Sequence, residues 1–305
     1  MSANIDSKSS SEYTKSGFLA VSSANVGWGI ADVCISIIGR GQVVTWAHGI
    51  TGAVFLALVM LGLREKLVWK DFVRSFPIGL QRTIVWSAVF VAFQEDNPAI
   101  AITVLSFSLV LSIIVFGPRL GEKLTPQILI LSMIGFVGLV MTSLESFDSF
   151  NLSRGAVLSL LVLPIASAGT YILRNVQKSV PAKTTACYMY IWIGLLMSPI
   201  MLFVNPKFEF TNHEILVLTI LAVLGAGGHL LFNYSQPRTS FRFNAIASTI
   251  HTPATAFFAW WFIGGTLNLH QLLGMLVVTV VVAYMSIATR SKKAQELEEN
   301  LGPRI

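Results

Sequence analysis

Apolar residues run along this chain in long blocks, with neither the alternation of a half-buried strand nor the single stripe of a soluble helix. Ten windows each hold about 20 largely apolar residues, the length a helix needs to cross a bilayer core of roughly 30 Å. They are 17–38, 43–63, 75–93, 98–117, 126–144, 155–173, 184–204, 215–234, 243–263 and 269–289. Within them the ionised residue types are represented only by Asp32 and Arg82. The pattern predicts an all-α membrane protein: ten transmembrane helices, short connections, and polar tails over 1–16 and 290–305. The first tail lacks the basic-then-apolar order of a cleaved leader, so the first window is expected to remain a span.

Composition narrows the class further. Of 305 residues, 54% are hydrophobic and 12% charged, whereas a soluble domain carries about 25% charged residues to cover its surface. This argues against a soluble globule, a disordered chain and a nucleic-acid binder, and makes the lipid bilayer the first partner. The net charge of +6 reads as basic loops facing a cytoplasm. With both termini placed inside, 17 of the 21 Lys and Arg lie on inner segments and three (Arg40, Arg154 and Lys207) on outer ones. The expected location is a plasma membrane, most simply a bacterial inner membrane. Cys34 and Cys187 both sit in apolar windows, without the spacing of a disulfide framework or a metal site.

The windows divide five and five near Asp148. A shift of 143 positions lays Leu120-Gly121-Glu122-Lys123-Leu124 on Ile263-Gly264-Gly265-Thr266-Leu267. It also lays Ser106, Ser108 and Ser112 on Thr249, His251 and Thr255. Two five-helix units, 17–148 and 149–289, must then enter the membrane from opposite sides. Such inverted repeats commonly hold a substrate site near the midplane where the copies meet.

On these residues the chain resembles the drug/metabolite transporter superfamily, of the ten-helix EamA type. The resemblance spans about Gly17 to Thr289. Its most specific part is the Gly121–Glu122 pair between the fourth and fifth spans, with Gly264 at the matching point in the second half, read as structural. Arg82 resembles an arginine often present early in the third span. The chain departs from the family pattern at three positions. Gly265 stands for a second glutamate, Val110 for a proline that Pro253 keeps in the other half, and His48 for an arginine. The resemblance implies a central cavity lined by the first, third, fourth, sixth, eighth and ninth spans.

Charges within a bilayer cost on the order of 3 kcal/mol, so they face the bundle interior or water. Asp32, one turn after Trp28, reads as a carboxylate for a cation or a proton, or as a structural partner of Arg82 or of a neighbouring helix by a hydrogen bond. Arg82 reads as an anchor for a substrate carboxylate or phosphate, or as a side chain snorkelling to the surface; Trp86 follows it by one turn. Asn244, Ser248, His251 and Thr255 form one stripe on the ninth span, and Pro253 is expected to bend that helix and serve in gating. His229, Asn233 and Tyr234 end the eighth span, either as interhelical glue or as substrate contacts. The candidate substrate-binding set is Trp28, Asp32, Arg82, Trp86, Ser108, Tyr171, His229, Asn233, Tyr234, Ser248, His251 and Thr255. The histidines leave proton coupling open.

No nucleophile–base pair, paired catalytic carboxylates or nucleotide-binding loop is recognisable, so no enzyme and no cofactor is expected. The reading is a secondary transporter for a small polar or zwitterionic, amino-acid-like metabolite. It would work by alternating access and draw on an ion or solute gradient. The alternatives are an importer or exchanger of a nucleoside-like or sulfonium metabolite, and a membrane scaffold that transports nothing. Substrate, direction of transport and oligomeric state are left open.

Overall fold

The computed structural model describes residues 3–116, 118–120, 125–144, 152–204, 209–238, 247–248 and 250–284. Its elements are α1 (Ala3–Ile38), α2 (Gly41–Gly62), α3 (Trp69–Arg74), α4 (Phe76–Glu95), α5 (Pro98–Phe116) and α6 (Pro126–Ser143). After these come α7 (Arg154–Gln177), α8 (Ala182–Val204), α9 (Asn212–Leu221), a π-helical turn (Ala222–Ala226), α10 (Gly227–Ser235), α11 (His251–Ile263) and α12 (Leu269–Tyr284). Seven helices are long and apolar enough to cross a membrane, with α9, the π turn and α10 counting as one of them. Of the other three windows, two hold shorter apolar helices, Leu129–Ser143 within α6 and Leu269–Tyr284 as α12, and the third holds α11.

Three local features differ from the sequence reading. Residues 3–16, expected as a tail, are helical and continuous with the first span. No Gly or Pro occurs there to stop the helix, and extending an existing helix costs far less than nucleating one. Helix α3 was not expected. It lies against α8, where the Trp192 Nε1–H donates to the Phe72 carbonyl at 2.8 Å and the Tyr188 hydroxyl donates to the Val68 carbonyl at 2.9 Å. The eighth span is broken by the π turn. The Asp148 division and the Gly121–Glu122 pair lie outside the described residues, as do Asn244 and Thr249.

Helix packing shows the two-fold plan. Helix α4 packs on α7, and its repeat counterpart α10 packs on α1. In the same way α5 packs on α7 and α11 packs on α1. Helices α2 and α8, equivalent to each other, pack together, and so do α5 and α11. Glycines permit the closest crossings. A Cβ on Gly49 would lie 2.7 Å from the Gly194 nitrogen, and one on Gly274 would lie 2.5 Å from the Gly138 carbonyl.

Contacts between loops join segments that the charge pattern assigned to one side. On the predicted outer side Arg40 pairs with Glu214, Arg154 with Glu95, and Asn97 donates to the Thr266 carbonyl. On the predicted inner side Lys183 pairs with Glu65, and Arg174 donates to Gln236. Large apolar side chains such as Leu58, Leu161, Leu202 and Phe203 are exposed along the helices. A soluble monomer rarely shows such continuous apolar surface, and lipid tails cover it here.

Candidate functional site

A cavity of about 180 Å³ opens between the two halves. A smaller apolar cavity of about 150 Å³ accepts benzene, so this one suits a small metabolite. Its walls come from α1, α2, α4, α5, α7, the end of α9, the π turn, α10, α11 and Ser248 just before it, and carry both charged and aromatic groups. Of the sequence-derived candidates, Trp28, Asp32, Arg82, Trp86, Ser108, His229, Ser248 and His251 line it. Thr255 stands behind the lining and donates to Asp32 Oδ2 at 2.7 Å.

Three candidates are placed elsewhere. Tyr171 stacks on Phe116, with ring centroids 4.9 Å apart. The Tyr234 ring is covered by the Arg238 guanidinium at 3.6 Å. Asn233 is buried off the cavity, and both polar atoms of its side chain lack a partner among the described residues. One-turn spacing placed Asn233 on the His229 stripe; both lie in α10, but of the two only His229 reaches the cavity wall.

Of the structural alternatives for Asp32, the hydrogen bond to a neighbouring helix is present and the pair with Arg82 is not. The Asp32 Oδ2 accepts from His251 Nε2–H at 2.8 Å as well as from Thr255. No contact with Arg82 forms, and Oδ1 has no protein partner among the described residues. Arg82 lines the cavity, and its buried Nε has no hydrogen-bond partner. Nor does any carboxylate pair with it among the described residues. Burying an unpaired guanidinium is costly, and an arriving anion would recover that cost. The planar fork of the guanidinium matches a carboxylate at two points.

The π turn builds the opposite wall. The Gly225 carbonyl accepts from Trp28 Nε1–H at 3.2 Å and from His229 Nδ1–H at 2.9 Å. A carbonyl only accepts, so Nδ1 carries the hydrogen and a neutral His229 leaves Nε2 as an acceptor. A Cβ at Gly225 would lie 2.6 Å from His48 Cε1, so glycine is required there. Such π turns often occur at functional sites. Sequence periodicity could not reveal this one, although the glycine cluster around Gly225 marked the place.

Tyr190 is the main residue the sequence reading missed. It is fully buried on α8, and its hydroxyl lies 2.9 Å from His48 Nε2 and 3.2 Å from His229 Nδ1. It ties the second, seventh and eighth spans together beneath the cavity. Trp86 packs 5.8 Å from Phe90 in a stack and 4.8 Å from His229, making one flat aromatic wall. Trp28, 4.4 Å from His229 and 5.7 Å from His251, makes a second. Nothing in the local pattern around Tyr190 distinguishes it from a packing tyrosine.

Pro253 falls in the first turn of α11 and faces outward. A first-turn residue has no intrahelical partner for its N–H, so proline breaks nothing there. The expected mid-helix bend is therefore replaced by a helix start. Gly264 takes the left-handed conformation, φ +63°, that ends the same helix, a role that suits glycine.

The sequence model of the EamA-like transporter family matches residues 15–144 and 153–287, one segment for each half. No curated protein matches the sequence. Among solved structures, a crystal structure of another protein superposes with a TM-score of 0.65 at 14% identity. It covers 93% of this chain and 98% of its own, and at that identity the likeness concerns the fold alone.

Proposed function

From membership of the EamA-like transporter family, to which this chain belongs, we propose a secondary carrier that moves a small zwitterionic, amino-acid-like metabolite by alternating access. The observation that carries the substrate class is the pair of incomplete charges in one cavity. Arg82 has no anionic partner, and Asp32 keeps Oδ1 free of protein contacts among the described residues. A carboxylate on Arg82 and an ammonium at Asp32 would complete both, with Trp28 and Trp86 flanking the side chain. Ten spans in two inverted units supply the moving parts, and an ion or solute gradient supplies the energy.

The aromatic walls also favour a second reading, a nucleoside-like or sulfonium metabolite. Such a ligand needs Asp32 and the rings but has less use for Arg82. Uptake of labelled amino acids and labelled nucleosides into proteoliposomes separates the two. Accumulation of amino acids, lost in both Arg82→Gln and Asp32→Asn, is the expected result. Nucleoside uptake that survives Arg82→Gln would replace the first reading with the second.

The proposed placement is a plasma membrane with both termini inside. Both native cysteines are buried, so introduced ones can be read directly. Arg154→Cys should react with a membrane-impermeant maleimide in intact cells, and Lys70→Cys only after permeabilisation. The reverse order would invert the orientation.

A further inference from the structure

Asp32 and His251 come from different halves of the chain, on α1 and α11, and their contact joins the halves at the cavity wall. A neutral imidazole and an imidazolium can both donate Nε2–H to Asp32. The two states differ at Nδ1, which has no partner among the described residues. The 143-residue shift places Ser108 opposite His251 and Ser112 opposite Thr255, and the family match, whose segments begin at 15 and 153, places Thr170 opposite Asp32. Helix α7 packs on α5 as α1 packs on α11. One of the two equivalent junctions therefore holds titratable groups, and the other holds three hydroxyls.

The other groups facing this pair are known. Arg82 on α4, His48 on α2 and His229 on α10 line the same cavity, and Tyr190 on α8 lies behind it, bonded to both histidines. Buried Cys34 follows Asp32 on α1. Helix α5 presents Ser106 and Ser108 and no titratable side chain. Glu214, at the start of α9, is engaged by Arg40. Asp32 is thus the carboxylate of the cavity, and its negative charge can be balanced from two directions: by His251 at Oδ2, or by a ligand cation at Oδ1.

Resting on the zwitterion reading above, we infer that Asp32 and His251 form an exchangeable proton site. A proton on His251 Nδ1 and the substrate ammonium take turns in neutralising Asp32. When the ammonium reaches Oδ1, the Nδ1 proton leaves for cavity water, while Nε2–H stays bonded to Oδ2. One positive charge enters and one leaves, and Asp32 remains ionised throughout. One substrate then moves against one proton, and the lock between α1 and α11 changes its charge once per cycle.

The test uses the purified full chain and three probes. L-phenylalanine carries both charges, 3-phenylpropionate lacks the ammonium, and phenethylamine lacks the carboxylate. Calorimetry in buffers of different ionisation enthalpy counts the protons released on binding. Phenylalanine and phenethylamine should each release about one proton and 3-phenylpropionate none. The Kd for phenylalanine should rise by about tenfold for each unit of pH lowered through the exchange range. His251→Gln should bind phenylalanine without proton release and without that pH dependence, and Asp32→Asn should lose phenethylamine binding. Release that persists in His251→Gln, or phenylalanine binding by the wild type without release, overturns the site.

If none of the three probes binds, the zwitterion reading fails and the proton site is tested by itself. Trp28 lies 5.7 Å from His251, so an imidazolium there should quench its fluorescence as the pH is lowered. A transition present in the wild type and missing from both Asp32→Asn and His251→Gln sustains the site. The same transition in all three proteins, or none in the wild type, ends it.

Discussion

Arg82→Met should abolish transport while leaving thermal stability equal to or above that of the wild type. A buried charge that is hydrogen-bonded across an interface loses about 2–5 kcal/mol of binding when one partner is truncated. In Kd that is roughly a 30-fold to several-thousand-fold loss. The same substitution removes a guanidinium that the empty protein leaves without a carboxylate, with Nε buried and unbonded. Replacing such a group by an apolar one of similar length is often neutral or stabilising. This opposition of effects separates a ligand-binding arginine from a structural one, whose loss would lower stability and transport together. Arg82→Lys keeps the charge but not the two-point fork, and should recover only part of the affinity. Proteoliposome uptake beside thermal unfolding in detergent reads both quantities. Wild-type flux in Arg82→Met would remove the residue from the site.

Gly274→Val should prevent the native fold from forming. An added Cβ would lie 2.5 Å from both the Gly138 carbonyl and Thr142 Oγ1, and 2.7 Å from the Thr142 nitrogen. Two of those three atoms are backbone and cannot swing aside, so α6 and α12 would have to separate. Overpacking of this kind costs about 3 kcal/mol or more when the backbone must move. In a marginally stable protein that is a large share of the total. Gly62→Ala provides the contrast. Nothing lies within 4 Å of a Cβ at Gly62, at the end of α2, and replacing glycine by alanine in a helix gains up to about 1 kcal/mol. Gel filtration of the two variants should show loss of the monodisperse species for the first and no change for the second. A monodisperse, stable Gly274→Val protein would mean that the α6–α12 crossing is looser than described.

The first prediction concerns the cavity between the halves and the second a crossing that joins them, and there the sequence and the structure contributed differently. Ten apolar windows were legible because each reports a local quantity, the cost of placing side chains in hydrocarbon. The repeat was legible because it copies that local pattern. Arg82 and Asp32 stood out for the same reason: an ionised residue in a long apolar run has few acceptable environments.

Partnership was not legible. Whether Asp32 meets Arg82 or His251 depends on how α1 crosses α11 and α4, and no spacing within one helix encodes that crossing. Tyr190 looked like any tyrosine of a span until α2, α8 and α10 were brought together around its hydroxyl. Asn233 shares one helix with His229, a turn apart, yet lies off the cavity, whose extent only the packed helices define. Pro253, read as a kink, became the first turn of a helix. The chain by itself indicated its solvent, its two-repeat layout and the residues too polar to face lipid. The tertiary structure alone decided which of those residues meet, because hydrogen bonds and ion pairs act over about 3 Å, between helices whose contact is set by side chains distant in sequence.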